Sequence, residues 1–107
     1  MNMKELITTQ ARILHKEEIS DNGVLILATA SGVICGVPVF SDYVPNTKEE
    51  KLMMRTLSVD PKPNFLYGDE TVFMLRNVSI HQGRDSVTTP WFLIRYDSVI
   101  GCAIGTR

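Results

Sequence analysis

The chain has 107 residues, 44% of them hydrophobic and 21% charged, and its 11 Lys and Arg against 12 Asp and Glu leave a net charge of −1. That length fits one domain, residues 1–107, burying about 65% of its unfolded surface without staples. The two cysteines rule out a disulfide scaffold, near-neutral charge excludes polyanion binding by bulk electrostatics, and no apolar run reaches the ~18 residues of a membrane helix.

Met1–Glu5 lacks the basic-then-apolar layout of a secretory signal, so a reduced, cytoplasmic protein with no membrane contact is expected. Met3, Leu6, Ile7, Ala11 and Leu14 repeat at helical spacing, and Asn2 stands three residues before Glu5 as a cap. The spacing predicts a helix over about residues 3–16, covering one open end of a small sheet and ended by Asp21-Asn22-Gly23. Val24–Phe40 is uncharged and rich in β-branched residues, with a hairpin turn expected at Ser31-Gly32 and a bend at Gly36 and Pro38.

Residues 41–70 are different in kind, holding ten of the 23 charges and three of the five prolines. We read the stretch from about 44 to 70 as a solvated insertion. In it Thr47-Lys48-Glu49-Glu50 caps a short helix over about 48–57, and Asp60-Pro61-Lys62-Pro63-Asn64 is extended loop. Thr71–Gln82 is a third strand, Gly83–Ser86 a turn, and Pro90–Tyr96 and Ser98–Ile104 are strands four and five with almost no loop between them. Those five strands suggest one strongly bent sheet closing into a small barrel.

Phe92-Leu93-Ile94-Arg95-Tyr96-Asp97-Ser98-Val99-Ile100-Gly101-Cys102-Ala103-Ile104 resembles the second signature of the Sm-like (LSm) family, two apolar strands joined through Ile-Arg-Gly and often continuing Asp-Ser-Val. Tyr96 stands where that family has glycine. Gly32, Gly36, Phe40-Ser41-Asp42 and Asn46 are similar in order to its first signature, with Ser41 intervening before the Asp; a second register assigns the family's Asn to Asn77. The insertion falls outside the resemblance.

The resemblance implies a mainly β fold, an N-terminal helix followed by a five-stranded antiparallel Sm-like barrel. It also implies a homo-oligomeric ring in which strand four of one copy pairs with strand five of the next. An uncharged outer strand such as SVIGCAI is an edge ready to pair, which supports that expectation independently. By the same resemblance Arg95 joins Asp42 and either Asn46 or Asn77 at the pore to bind single-stranded, U-rich RNA. Arginine stacks on bases, and Asn and Asp read their edges. Tyr96 either stacks on a base in place of the glycine or blocks the pocket. The bland readings are an Arg95–Asp97 ion pair, a turn residue at Asp42, a helix-flanking Asn46 and an exposed strand position for Asn77. The alternative function is a ring-shaped structural or protein-interaction module without nucleic-acid binding, capturing a protein partner through the insertion.

Other chemistry has no support in the residues. His15 and His81 lack companions at metal-ligand spacing, and Cys35 and Cys102 sit in apolar runs as small core residues. Trp91 and Phe92 read as core or interface. No nucleophile elbow or phosphate loop frames a catalytic group, so no enzyme, metal or cofactor is expected.

Overall fold

The structure is a computed structural model that describes residues 1–17, 23–55 and 66–107. The expected Asp21-Asn22 turn and the 60–64 loop lie outside the described residues. Helix α1 spans Met3–Glu17, and its cap is the expected one: the Glu5 amide donates to Asn2 Oδ1 at 2.8 Å. Ile7 and Ala11 on its inner stripe are completely buried, with Met3 and Leu14 packed beside them.

Five strands follow: β1 (Gly23–Thr29), β2 (Gly32–Pro38), β3 (Val72–Gln82), β4 (Asp85–Arg95) and β5 (Val99–Thr106). They form one antiparallel sheet in the order β4-β3-β2-β1-β5. The β1–β2 turn falls at Ala30-Ser31, one residue earlier than expected, because Thr29 pairs with Gly32. Strand β4 starts at Asp85 rather than Pro90; proline is tolerated inside it because β4 is an outer strand.

The sheet is strongly curled, and its connectivity requires that. Arg95 pairs with Val72 at the start of β3, and Val99, four residues on, pairs with Thr29 at the end of β1. In a flat sheet the two outer strands would stand about 19 Å apart, four spacings of ~4.8 Å, whereas four residues reach at most ~14 Å. A 3₁₀ turn, Tyr96–Ser98, makes the corner, held by the Tyr96 amide donating to the Thr71 carbonyl at 2.9 Å. The expected closed barrel is not formed, because β4 and β5 share no ladder and each pairs on one side only.

The bend in β2 has a local cause. Cys35 pairs with Ser79 and Val37 with Arg76, so Gly36 faces both Asn77 and Val78 of β3. This is a β-bulge, and Asn77 takes the left-handed conformation it needs, at φ 51°. The main core lies inside the curl: Leu25, Leu27, Ile34, Phe73, Leu75, Val78, Ile94 and Val99, closed at one end by Ile7 and Ala11. Alternation puts Phe92 inside and Trp91 and Leu93 outside.

The described part of the insertion is largely exposed, as expected, but it also packs against the sheet. Helix α2 (Lys48–Met54) falls within the expected 48–57, of which 56–57 lie outside the described residues, and packs Met53 and Met54 over Val39, Tyr67 and Met74, with Tyr43, Trp91 and Leu93 alongside. The Tyr67 hydroxyl donates to the Met54 carbonyl, and the Tyr43 hydroxyl donates to Glu50 Oε2 at 2.9 Å. Arg76 lies 5.1 Å over the Tyr43 ring. A second, smaller core thus covers the outer face of the sheet where β3 begins. Charged residues dominate this segment by number; Met53, Met54 and Tyr67 pack toward the sheet, while Val44 and Leu52 stay exposed.

Candidate functional site

Strands β2 and β4 both run antiparallel to β3, so their C-terminal ends lie together where β3 begins. This end of the sheet gathers Arg95, at the last position of β4, and Asp42, just beyond the Phe40–Leu66 bridge that follows β2. Both are exposed. Arg95 Nη2 bonds Asp97 Oδ2 at 2.7 Å with both side chains about two-thirds exposed, a pair weak enough for a ligand to displace. The Ser98 hydroxyl donates to the Arg95 carbonyl at 2.7 Å and steadies the corner.

The two asparagines separate. Asn46 is exposed, and its amide donates to Glu50 Oε2 at 3.0 Å beside the Thr47 cap of α2. Asn77 lies five residues into β3 from Val72, about 16 Å along the strand, at the bulge rather than at the end that holds Arg95. Of the two registers, only Asn46 lies in the connection that leaves β2 toward that end.

Tyr96 does neither of the things expected of it. Its ring is buried in the main core, stacked on Phe73 with centroids 4.6 Å apart, with the Lys4 ammonium 5.3 Å from its centre. Burial, opposed by a hydrogen bond with Thr8, pushes its hydroxyl up to about 12. No left-handed backbone is needed where the Sm-like signature has glycine: among the described non-glycine residues only Asn77 has positive φ. The 3₁₀ turn makes the corner instead and points the tyrosine inward.

The charges around Arg95 are mostly negative. Asp69 caps the start of β3, accepting from the Thr71 and Val72 amides and the Thr71 hydroxyl, and these bonds hold its carboxyl below the ordinary range. Glu70 pairs with Lys4 at 2.7 Å. This end therefore presents Asp42, Asp69, Glu70 and Asp97 against Lys4 and Arg95.

The other candidate surface is the pair of open edges. Strand β5 carries no charged residue, and Ile100 on it is 71% exposed; on β4, Val87 is 60% exposed. Phe92 of β4 and Cys102 of β5 are only partly buried, each packing against the core from its own side of the opening. Burial raises the Cys102 thiol above its usual value. Cys35, expected in the core, is half-buried and faces outward with Ser79 and Ile26. His15 stacks on Phe40 at 4.4 Å.

Among the described residues no group of His, Cys, Asp and Glu is placed to hold a metal, and no helix is long and apolar enough to cross a membrane. One constellation escaped the sequence reading: Arg107 reaches Cys35, Asn77 and Ser79, the last of which also bonds His81. Its members are up to 72 residues apart and two of the contacts are to backbone carbonyls, so no spacing announces it. No protein-family model, curated protein or solved structure matches this chain.

Proposed function

We propose that this chain is an assembly module: copies of it pair head to tail, the β4 edge of one against the β5 edge of the next, and close into an Sm-like ring. The observation that carries the reading is the strand order β4-β3-β2-β1-β5, which among the described residues leaves two different edges unpaired on one curled sheet. An edge with unpaired amides, no charged residue and an exposed isoleucine is a template for another strand. Pairing of two unlike edges is heterologous and closes into a ring when the rotation permits. Docking would also finish the burial of Phe92 and Cys102, whose partly open sides flank the gap.

Light scattering and native mass spectrometry test this. The expected mass is a fixed multiple, above two, of the 12.0 kDa chain. Ile100→Lys should reduce it to one chain while the far-ultraviolet dichroism stays unchanged. A wild-type protein that runs as a single chain at every concentration refutes the proposal.

A second reading, single-stranded U-rich RNA bound at the Arg95 end of the ring, is favoured by one observation: Asp42 and Arg95 share that end of the sheet. Each stacked base contributes about 1–3 kcal/mol, and a ring repeats the term in every copy. The surplus of carboxylates there weighs against it and ranks it below assembly. In a titration of the assembled protein with oligo(U), Arg95→Ala should weaken binding and leave the mass unchanged. Absence of binding by the wild type removes this reading and leaves the ring standing.

A further inference from the structure

We propose that Ser79, His81 and Arg107 form a binding site for the oxygens of a phosphate group on the outer face of the sheet, away from Arg95. Strand alternation places Ser79 and His81 on the same outward face of β3, and Arg107 extends from the end of β5 to join them. His81 Nε2 and Ser79 Oγ are 3.2 Å apart, and Arg107 Nη2 is 3.4 Å from the same hydroxyl. Three groups able to donate to an anion therefore meet at one oxygen.

Arg107 is held for the task. Its Nη2 donates to the Cys35 carbonyl at 3.0 Å and also to the Asn77 carbonyl. The second contact depends on the bulge, where Asn77 keeps a left-handed backbone unusual for a non-glycine residue. The hydrogen bonds of Arg107 among the described residues run from Nη2, which leaves Nη1 and Nε, on opposite sides of the guanidinium, each able to donate singly to an anion oxygen. A guanidinium already held in place loses less conformational entropy on taking an anion.

Among the described residues, the neighbouring positions of this face carry no acidic side chain. In the ladder register the same face presents Val33 and Cys35 of β2, Ser86 and Thr88 of β4, Ile26 and Ala28 of β1, and Gly101 and Ala103 of β5. None is acidic. Asp85 pairs with Gln82 and alternates to the other face. Arg107 makes no ion pair among the described residues, whereas Arg95 and Lys4 are both paired. The described residues of the insertion cover this face where β3 begins, over Met74. An anion here would meet a guanidinium, an imidazole and a hydroxyl, a donor set suited to phosphate.

Phosphate oxygens reach a protein as a free or terminal phosphate or as a nucleic-acid backbone, and two probes separate these sources. Inorganic phosphate and a short oligouridylate lacking terminal phosphates are titrated separately at constant ionic strength, with the Ser79 amide and His81 ring followed by NMR. The expected result is a saturable shift of both signals. A shift with inorganic phosphate alone assigns a free or terminal phosphate, and a shift with the oligouridylate assigns the backbone. Arg107→Gln should weaken the affinity about tenfold, the loss of a charge-assisted bond. His81→Ala, which leaves the Arg107–carbonyl bonds in place, should weaken it severalfold. The proposal is overturned if neither probe gives a saturable shift, or if either variant binds as the wild type does. Since all three residues belong to one chain, the outcome is independent of ring formation.

Discussion

Gly36 tests the account of how the sheet bends. A β-carbon built there would lie 3.0 Å from Leu75 Cβ, 3.1 Å from Val78 Cγ2 and 3.2 Å from Leu75 Cδ1. Leu75 and Val78 are essentially without exposure, and Leu75 Cβ is tied directly to the β3 backbone, so the strain cannot be relieved by turning one side chain. Overpacking of a filled core costs about 1–3 kcal/mol. Alanine would recover about 0.4–1 kcal/mol by restricting the unfolded chain. The net expectation for Gly36→Ala is a loss of about 1–2 kcal/mol, at about 4–8 °C of melting temperature per kcal/mol for a domain of this size. Urea unfolding followed by far-ultraviolet dichroism measures it, with a lower midpoint and an unchanged slope expected. A variant as stable as the wild type would mean that β2 and β3 do not approach so closely at the bulge, and the reason for the curl would have to be sought elsewhere.

Two further substitutions read other parts of the fold. Tyr96→Ala should cost about 3–5 kcal/mol, as deletion of a buried aromatic does. Tyr96→Phe should be far milder and should change the response to alkali. The folded-state value of Tyr96 is raised from 10.0 to about 12, so the neutral hydroxyl contributes stability that is fully present below pH 10 and is lost as pH rises through 12. Part of the alkaline loss should therefore vanish in Tyr96→Phe, with Tyr43, Tyr67 and the Cys102 thiol, all raised by burial, contributing to what remains. An identical pH profile in wild type and variant would contradict the buried placement of Tyr96. At the bulge, Asn77→Gly should leave stability unchanged or slightly higher, and Asn77→Val should lower it by about 1–2 kcal/mol because a left-handed β-branched residue is strained. Equal midpoints in the Gly and Val variants would exclude the left-handed bulge.

How far the candidate site could be read in advance depends on which neighbours each residue uses. The Arg95–Asp97 pair spans two residues and was visible as a possibility in the sequence; it is present at 2.7 Å. From the sequence Tyr96 reads as a residue of the pocket, stacking on a base or blocking it, whereas a 3₁₀ turn places it against Phe73, 23 residues earlier in the chain. The insertion was read as solvated because Lys48, Glu49, Glu50, Lys51 and Arg55 dominate its composition. The residues that dock it, Met53, Met54 and Tyr67, acquire a common face only once β3 and β4 supply Met74, Trp91 and Leu93. Among the described residues the His81 ring bonds only Ser79, two residues earlier, and the guanidinium that joins Ser79 comes from Arg107, 28 residues further on, which no spacing shows.

Local chemistry by itself determined the caps at Asn2 and Thr47, the inner stripe of α1, the uncharged strand blocks and the bend at Gly36, since each depends on neighbours within a few residues or on simple alternation. Tertiary structure decided the rest: which strands end the sheet, that its curl stops short of closure, that Tyr96 turns inward, and that Arg107 meets β2 and β3. These depend on contacts between segments tens of residues apart, and such contacts form only when the whole sheet twists into place.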